Sequence, residues 1–526
     1  MRFLLPLLYF TTCAAHKIVI LSPDLANSDI LLAKKIAETL YKNGHTVTIV
    51  LYQSFEGRDN SDVKILDRIN VVTVNASVGI HRRDWDNSQA GVIFDDVGQF
   101  DQRMFEHFKR FLNVLTGSCE KLVQNKGLLK WLTDEAFDLG FATHYHACPI
   151  GLIHHAKIPA WIWLQTGHLQ DYVSDAVGVP IIPSYTPPAH LDLLDKMTFS
   201  ERALSFLMHA IGKGFYPGFI ANIETDMFRK HIDPEFPDLI ELGKQCPLVM
   251  VNSNELVELP HPTLAKVVNI GGLGYEKKME KPLDQGFSRI VTMGESVVIV
   301  SLGTVAPSHL IPRHWKEALL AAFGSLPNYQ FIFKYEGEDL EDVPSNVHLT
   351  KWMPQFELLQ HTNIRAFVTH AGYNSLQEAV TAGKPLVTIG LFGDQPKNEK
   401  IAKKHGFAVN LSKANFTAEA VYDALTEVLE NPRYLSSAQR LSAMVAKRPV
   451  SPEQLLVKWT EFVAEFKTLE NLVPAGTKLN FVQYHSLDVI AVILTLVSVV
   501  LYILLKLLVC TARCVCCKKT RKEKMQ

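Results

Sequence analysis

The feature that most limits the possible folds is a short apolar run that turns into a helical pattern through a glycine. Residues 365–369 have the composition of a buried strand, and Gly372 separates them from a helical pattern at 375–382. Gly383 and Pro385 then end that pattern. A strand that enters a helix through a glycine turn directs backbone N–H groups and the positive helix end at one point. The sequence therefore predicts a phosphate site at this turn.

Polar side chains around the same turn are suited to the other parts of a nucleotide. His370, Asn374 and Ser375 supply further donors for a phosphate. Glu378 follows one helical turn later, where a carboxylate accepts hydrogen bonds from ribose hydroxyls in dinucleotide sites. Each residue alone has an ordinary explanation, such as a satisfied polar residue at a strand end or a solvated helix face. Their order along one short segment favours a binding site.

Two flanking segments extend this pattern. Trp352 offers a flat face for a base, although a lone tryptophan is more often a core residue. Asp394 and Gln395 follow the next apolar run, 385–392, and are placed to bind sugar hydroxyls. Residues 352–395 together predict a site for a nucleotide diphosphate sugar.

The rest of the chain has the pattern of two α/β domains. Its 526 residues are 47% hydrophobic with a formal net charge of −1, enough for two cores, and the even charge argues against nucleic acid as a partner. A strand at 17–21, a helix at 28–42 and a strand at 46–51 open the first half, and a strand at 297–302 opens the second. We expect domains at 16–270 and 288–485, joined by a linker at 271–287.

The two ends predict a membrane protein with one span. Residues 1–15 have the basic start, apolar core and small residues of a secretory signal peptide. Near the other end, 489–505 carries no charge, so 487–509 is long enough for a transmembrane helix. The following tail, 510–526, is basic and is expected to be cytosolic.

This topology places most of the chain in the secretory lumen, in a type I orientation. The last residues, 522–526, resemble a dilysine retrieval signal for the endoplasmic reticulum, and the alternative is a basic cluster that binds anionic lipids. Asn75, Asn410 and Asn415 each begin a glycan acceptor triplet.

Cysteine content is low in the lumenal part. It contains Cys119, Cys148 and Cys246, which is too few for a disulfide framework and allows at most one bridge.

Several segments together closely resemble the UDP-glycosyltransferase family, which includes membrane-bound UDP-glucuronosyltransferases and UDP-glucosyltransferases. The resemblance runs from about Ile18 to the tail, and the segments that carry it are 137–138, 251–255, 270–274, 300–304, 352–355, 367–378 and 393–395. It implies the GT-B fold, an α/β architecture of two doubly wound Rossmann-like domains facing a cleft. The C-terminal domain would bind a UDP-sugar and the N-terminal domain an acceptor.

The resemblance also implies a role for each matched residue of the donor site. It implies uracil stacking on Trp352, uridine contacts near Gln355, ribose contact at Glu378, diphosphate contacts at Thr304, His370, Gly372, Asn374 and Ser375, and sugar contacts at Asp394 and Gln395. The UDP-sugar is a co-substrate, and no cofactor or metal is expected. The triplet 84–86, an Asp-x-Asp sequence, lies in a polar stretch that we interpret as solvated surface.

The catalytic pair of the family is altered in this sequence. The family's general-base histidine aligns with Asp29, and the acid that orients it aligns with Thr143. An aspartate titrates near ~3.9 and a histidine near ~6.5, so an aspartate is the weaker base. Asp29 also lies in the first turn of its helix, behind a predicted Ser28 cap, where the helix dipole favours the carboxylate. His144 is the next candidate if the preceding strand ends at 142.

These features leave more than one function open. The first is inverting, metal-independent transfer of a glucosyl or glucuronosyl group to small lipophilic acceptors, with amines and acidic phenols favoured over alcohols. The second is a non-catalytic UDP-sugar-binding membrane protein or a partner subunit of an active relative. An epimerase or phosphorylase fits the signal peptide and anchor poorly. The segments 178–188 and 199–219 could form an acceptor pocket, a membrane-facing surface or a core helix. A homo- or hetero-oligomer is compatible with all of these.

Overall fold

The computed structural model describes residues 15–57, 65–98, 101–275, 282–294 and 296–523, and of 515–523 the backbone alone. Apart from Ala15, the predicted signal peptide lies outside these residues. Part of the predicted linker at 271–287 and the last three residues of the tail also lie outside them.

Strands and helices alternate along most of the described chain. Strands β1 to β13 run over Lys17–Pro23, Thr46–Gln53, Asn70–Asn75, Leu139–Thr143, Ala160–Gln165, Leu248–Val251, Val267–Asn269, Val297–Ser301, Gln330–Lys334, Val347–Thr350, Ile364–Thr369, Leu386–Thr388 and Ala408–Asn410. Helices α1 to α19 run over Asn27–Lys42, Arg82–Ile93, Gln102–Gln124, Lys126–Asp134, Cys148–His155, Asp171–Val177, Phe199–Tyr216, Asn222–His231, Leu239–Lys244, Gln285–Met293, Arg313–Gly324, Gln355–Gln360, Tyr373–Ala382, Gln395–Lys404, Ala418–Glu430, Pro432–Ala446, Pro452–Phe466, Phe481–Tyr484 and Leu487–Glu523.

The first sheet is parallel and has the order β3-β2-β1-β4-β5-β6-β7. Its interior strand β1 pairs with β2 on one side and β4 on the other. β1 is buried almost throughout, because helices cover both faces of a parallel sheet and leave no strand face for polar residues. The predicted strands at 17–21 and 46–51 and the helix at 28–42 are confirmed.

The second sheet repeats this arrangement in the order β10-β9-β8-β11-β12-β13. β8 pairs with β9 and β11, so both of its neighbours are parallel strands. The predicted strands at 297–302 and 365–369 are confirmed as β8 and β11. Both sheets therefore have the doubly wound order 3-2-1-4-5-6, to which the first sheet adds a seventh strand. In this order ligands bind beyond the carboxyl ends of the strands where the order reverses. In the second sheet that point lies between β8 and β11.

Helix α17, close to the end of the globular part, packs against the first sheet rather than the second. Leu456 and Val463 are fully buried in the same core cluster as Ile18 and Ile36. The chain therefore returns to the first sheet after the second is complete.

Helix α7 exposes its apolar side chains and buries polar ones. Ser205 and His209 are buried, and His209 Nε2 lies 2.9 Å from the Thr186 carbonyl oxygen. On the opposite side Phe206 is 67% exposed and Ile211 is 54% exposed. The interpretation of 199–219 as a core helix is therefore wrong, since a core helix buries its apolar face. The acceptor pocket and the membrane-facing surface stay predictions.

Within the described residues a disulfide joins Cys119 to Cys148, which agrees with the expected limit of one bridge in the lumenal part. Cys119 lies on α3 and Cys148 begins α5, and both side chains are fully buried. Cys246 is a buried free thiol.

Loss of this bridge is expected to destabilise the globular part. The bridge closes a loop with a sequence separation of 29, and restriction of the unfolded chain by a loop of that length is worth about 3–4 kcal/mol. The double variant Cys119→Ala/Cys148→Ala should therefore unfold at lower denaturant than the natural protein. A reducing agent should lower the stability of the natural protein and leave that of the variant unchanged. Equal stability of the two proteins in oxidising buffer would contradict this expectation.

Residues 473–526 form a separate compact unit. Within the described residues, the segment Leu487–Cys514 of α19 is long and apolar enough to cross a membrane, with a mean hydropathy of 2.8. This finding agrees with the predicted span at 487–509.

Candidate active site

The predicted strand–turn–helix has the geometry of an anion site. β11 ends at Thr369, and α13 begins at Tyr373 with Gly372 as its cap residue. Gly383 ends the helix in the left-handed conformation, as predicted. Between strand and helix, Ala371 adopts a φ of +61°, which a non-glycine residue rarely adopts unless its surroundings impose it. The free N–H groups of the first helical turn therefore meet the end of β11.

The imidazole of His370 lies between two glycines. A Cβ atom at Gly303 would approach the ring to 2.6 Å, and one at Gly372 would approach it to 2.5 Å. Gly303 also has a φ of +84°, so both its conformation and its neighbour require glycine. The two glycines give the imidazole its place at the mouth of the turn.

His370 is a neutral donor or acceptor rather than a cation. Burial lowers its pKa to about 4, although Asp394 acts in the opposite direction. At neutral pH the positive field at the turn therefore comes from the helix end and from N–H groups, with His370 adding a hydrogen bond.

Thr304 lies on the neighbouring strand connection, just beyond the end of β8, and its side chain is exposed. Lys334, at the end of β9, donates to the Gly303 carbonyl oxygen at 2.9 Å and holds this connection. Thr304 and His370 thus follow the two strands where the strand order reverses. The structure brings these two predicted phosphate residues to one edge of the sheet.

Glu378 is held by two donors, one of which the sequence did not indicate. Gln355 Nε2 donates to Glu378 Oε2 at 2.6 Å and lies 3.3 Å from Ser375 Oγ. Tyr275 donates its hydroxyl to Glu378 Oε1 at 2.9 Å. A carboxylate has about four acceptor positions, so each oxygen keeps capacity for one further donor. The arrangement fixes the carboxylate and leaves it able to accept from two hydroxyls of a ligand.

A lysine from the first sheet's side balances the charge of this carboxylate. Burial raises the pKa of Glu378, and the nearby Lys35 ammonium acts against that rise. Lys35 itself lies over the Tyr275 ring, 3.2 Å from its centroid, and burial lowers its pKa to about 8. The charge near Glu378 therefore depends on α1, which precedes it by more than 300 residues.

The remaining predicted donor residues lie near the starts of α12 and α14. The Trp352 side chain is 56% exposed, which leaves its face open to a base. Asp394 immediately precedes α14, and its side chain accepts a hydrogen bond from Asn398 at 2.8 Å. Gln395 Oε1 accepts from the backbone N–H groups of Leu391 and Phe392, at 3.1 and 3.2 Å, and so supports the loop before Asp394.

Residues from the first half also contact the turn. Asn252 Nδ2 donates to Asn374 Oδ1 at 3.2 Å, and Gln377 Nε2 donates to the Asn252 carbonyl oxygen at 3.2 Å. Asn252 belongs to the segment 251–255, which contributes to the family resemblance, but the sequence indicated no role for it. Its amide contacts Asn374, one of the residues that the sequence predicts to bind the diphosphate.

The first half contains Asp29, the residue at the predicted position of the general base, which is 1% exposed. The predicted Ser28 cap is wrong, because α1 begins at Asn27 with Ala26 as its cap residue. The backbone N–H of Ala26 donates to Asp29 Oδ2 at 3.1 Å, and the Tyr145 hydroxyl donates to Asp29 Oδ1 at 2.8 Å. Both donors stabilise the carboxylate. Asp29 is thus a buried, hydrogen-bonded acid in the first helical turn.

The strand end near Asp29 differs in detail from the expectation. β4 continues to Thr143, whose Oγ1 lies 3.4 Å from the Tyr52 hydroxyl. His144 Nδ1 accepts from the Thr166 N–H at 3.4 Å, and burial lowers the His144 pKa to about 3. The residue that reaches Asp29 is Tyr145, two positions after the predicted partner.

Sequence comparison identifies the family. A family model described as "UDP-glucoronosyl and UDP-glucosyl transferase" matches residues 17–522. This chain belongs to that family. The chain is 30% identical over 505 residues to a putative UDP-glucuronosyltransferase, ugt-48, of Caenorhabditis elegans, with 94% of each chain covered. It is 31% identical over 398 residues to UDP-glucuronosyltransferase 1A7 of Rattus norvegicus, covering 75% of this chain and 73% of the relative.

Solved structures show the same fold. CalG4, the calicheamicin glycosyltransferase, matches with a TM-score of 0.56 at 14% identity, covering 85% of this chain and 98% of its own. Os79 from O. sativa, in complex with U2F and trichothecene, matches with a TM-score of 0.56 at 18% identity, covering 85% and 100%. The UDP-glycosyltransferase described here therefore has the GT-B fold. Its family membership makes it a glycosyltransferase enzyme.

Proposed function

We propose that this UDP-glycosyltransferase moves a hexosyl group, glucose or glucuronate, from a UDP-sugar to small lipophilic acceptors, with inversion and without a metal. The observation that carries the proposal is that an anion-binding turn is followed, on the same helix α13, by the oriented carboxylate of Glu378. Gln355 Nε2 donates to Oε2 of that carboxylate at 2.6 Å. This order along the chain, with the turn before α13 and Glu378 on that helix, suits a diphosphate followed by a ribose. The complex of LpCGTa with UDP, a neighbour of TM-score 0.53 at 14% identity that covers 85% of this chain and 99% of its own, supports the choice of nucleotide.

The residues of the site suggest how the reaction proceeds. An acceptor heteroatom forms a bond to the anomeric carbon while the bond from that carbon to the UDP oxygen breaks, and UDP leaves with the electron pair. The α13 N-terminus, Asn374 and the neutral His370 stabilise the negative charge that develops on the leaving diphosphate. The acceptor proton passes to Asp29 or to solvent.

The state of Asp29 sets the preferred acceptor. Its carboxylate already accepts from Ala26 and Tyr145, so it is a weak base for an alkyl alcohol. General-base assistance contributes about 100- to 10,000-fold to such a transfer. Amines, which attack as free bases, and acidic phenols, which ionise readily, need little of that assistance.

We expect the purified full-length enzyme in detergent to transfer sugar to an aromatic amine or a nitrophenol about 100-fold faster than to a primary alcohol. Product formation is measured by mass spectrometry with UDP-glucose, UDP-glucuronate and UDP-N-acetylglucosamine as donors. Asp84→Ala, which removes an exposed acid on α2, is the control for loss of an aspartate. The acceptor assignment would be contradicted if primary alcohols were glycosylated as fast as amines and phenols and if Asp29→Ala kept that rate. The transferase proposal would be contradicted if the enzyme bound UDP but formed no product with any acceptor.

We also propose that the enzyme is a single-pass type I protein of the endoplasmic reticulum membrane with its globular part in the lumen. The span candidate Leu487–Cys514 and the basic residues after it support this orientation. The Cys119–Cys148 bridge suits an oxidising compartment. Asn75 and Asn415 are exposed, whereas Asn410 is half-buried with its Oδ1 accepting from Thr388 at 3.1 Å. Protease treatment of sealed microsomes should remove only the C-terminal tail.

A further inference from the structure

His168 connects the two halves of the enzyme next to the donor site. It follows β5, in the first half, and its Nε2 lies 2.7 Å from Oδ1 of Asn398, on α14 of the second half. Its Nδ1 lies 2.7 Å from the Glu258 carboxylate. His168 is 4% exposed and Asn398 is fully buried. These two short contacts determine which ring nitrogens carry protons.

The orientation of the Asn398 amide is fixed by its other partners. Its Nδ2 lies 3.0 Å from the Ala371 carbonyl oxygen and 2.8 Å from Asp394 Oδ2. Both of those oxygens only accept hydrogen bonds, so the NH₂ group must face them and the amide oxygen must face His168. Nε2 of His168 therefore donates and carries a proton.

The second nitrogen of His168 is also a donor. Burial raises the pKa of Glu258, but the His168 charge acts against it and leaves that pKa below its usual value, so the carboxylate is ionised and only accepts. Burial lowers the pKa of His168, but the attraction of Glu258 outweighs burial and the net pKa is raised. With protons on both nitrogens, His168 is a buried imidazolium.

We propose that His168 is a positioning residue, whose imidazolium form fixes Asn398 and thereby the Ala371 carbonyl and the Asp394 carboxylate for binding of the donor sugar. The proposal rests on the proposed function, because it assigns Asp394 to the sugar and the turn at Ala371 to the diphosphate. It adds a residue of the first half to the sugar site and makes that site depend on contact between the halves.

Other charged groups face His168 from several elements. Glu258 after β6, and Lys397 and Asp394 on or beside α14, act on His168 directly. His190, in the loop before α7, also interacts with His168, and Asp171 on α6 interacts with His190. The uncharged ring of Tyr373 on α13 lies 5.0 Å away. Lys397 and His190 disfavour the imidazolium, whereas Glu258 and Asp394 favour it. Burial keeps the pKa of Lys397 below its usual value, which weakens its opposition as pH rises.

The sign of the pH dependence follows from the raised pKa of His168. Below that pKa the hydrogen bonds from Nε2 to Asn398 and from Nδ1 to Glu258 are both present. As pH rises through it, the proton that stays on the ring is the one on Nδ1, because the Glu258 carboxylate is a stronger acceptor than an amide oxygen, and Nε2 faces Asn398 Oδ1 with a lone pair at 2.7 Å. Acceptor then meets acceptor, and Asn398 loses the donor that holds its amide oxygen. Affinity for the donor sugar should therefore fall at alkaline pH, whereas affinity for UDP, which lacks the sugar, should fall less.

The test compares binding of UDP-glucose, UDP-glucuronate and UDP to the full-length enzyme in detergent between pH 6 and 9.5. For the UDP-sugar that binds, we expect Kd to rise about tenfold as the pH increases through the alkaline part of this range, equivalent to about 1.4 kcal/mol. We call this rise the alkaline limb. Glu258→Gln keeps an acceptor for Nδ1 but removes the charge, so the limb should move at least one pH unit lower. His168→Gln should bind with the weaker affinity at every pH and show no alkaline limb.

His405→Gln is the matched control. His405 follows the end of the same helix, α14, and its Nε2 lies 2.8 Å from the Val257 carbonyl oxygen. The Kd of His405→Gln for the UDP-sugar should equal that of the natural enzyme at every pH. Thermal unfolding first shows that Glu258→Gln and His168→Gln are folded. The proposal is overturned if both variants keep the pH dependence of the natural enzyme. It is also overturned if the affinity for UDP falls at alkaline pH as much as the affinity for the UDP-sugar. Absence of binding by UDP and both UDP-sugars at every pH would instead overturn the proposed function.

Discussion

Replacement of His370 by alanine is expected to lower kcat/KM for the UDP-sugar about 100- to 1,000-fold, the effect of removing one preorganised donor to a developing negative charge. UDP affinity should fall about tenfold or more, because a hydrogen bond to a charged group is worth about 1.5–3 kcal/mol. The variant loses a hydrogen bond and not a positive charge, because burial lowers the pKa of His370 to about 4 and the ring is neutral between pH 6 and 9.

The matched control is His348→Ala. His348 lies on β10 of the same sheet and bonds Gln330 Oε1 at 2.9 Å, away from the turn. Its loss should leave the UDP titration unchanged in calorimetry. Because His370 loses its proton near pH 4, kcat should show no step from His370 between pH 6 and 9. UDP uptake that is indifferent to loss of the His370 imidazole would overturn the donor-site assignment.

Replacement of Glu378 by alanine is expected to weaken UDP binding about 100-fold. The variant removes the carboxylate that would accept from both ribose hydroxyls, and charge-assisted hydrogen bonds are worth about 1.5–3 kcal/mol each. It also leaves the buried Lys35 without its counter-charge and the donors of Tyr275 and Gln355 without their acceptor. Isothermal titration of the full-length enzyme with UDP measures the effect.

A second ligand separates ribose recognition from general damage to the site. With 2′,3′-dideoxy-UDP, which lacks both hydroxyls, the natural enzyme and Glu378→Ala should differ by less than about threefold, because the bonds that the variant removes are absent in both. Glu357→Ala, on the neighbouring helix α12, should bind UDP normally. An equal loss for UDP and its dideoxy analogue would show that Glu378 acts on the fold of the site and does not bind the ribose.

The donor turn could be predicted from the sequence because its determinants are local. An apolar run, a glycine and a helical pattern lie within about 20 residues of each other, and β11, Gly372 and α13 form as that order predicts. The residues that orient Glu378 are not local. Tyr275 and Lys35 are separated from it by 103 and 343 residues, so only the approach of the two halves brings them together.

The acceptor side shows where sequence patterns are insufficient. Alignment with the family placed the partner of Asp29 at Thr143, but β4 ends at that residue and the next turn brings the Tyr145 hydroxyl to the carboxylate. Helix α7 had the composition of a core helix and yet exposes Phe206 and Ile211. A periodic pattern shows that a helix has an apolar face, but does not show what that face contacts.

The sequence by itself determined the family, the two parallel sheets, the glycine turn and the candidate span, because each depends on residue order within a short window or on a motif that residue order defines. The tertiary structure alone decided the partners of Asp29, Glu378 and Asn398, and with them the protonation of His168. Hydrogen bonds form between atoms within about 3 Å of each other, and which distant residues come that close depends on how the two sheets face each other.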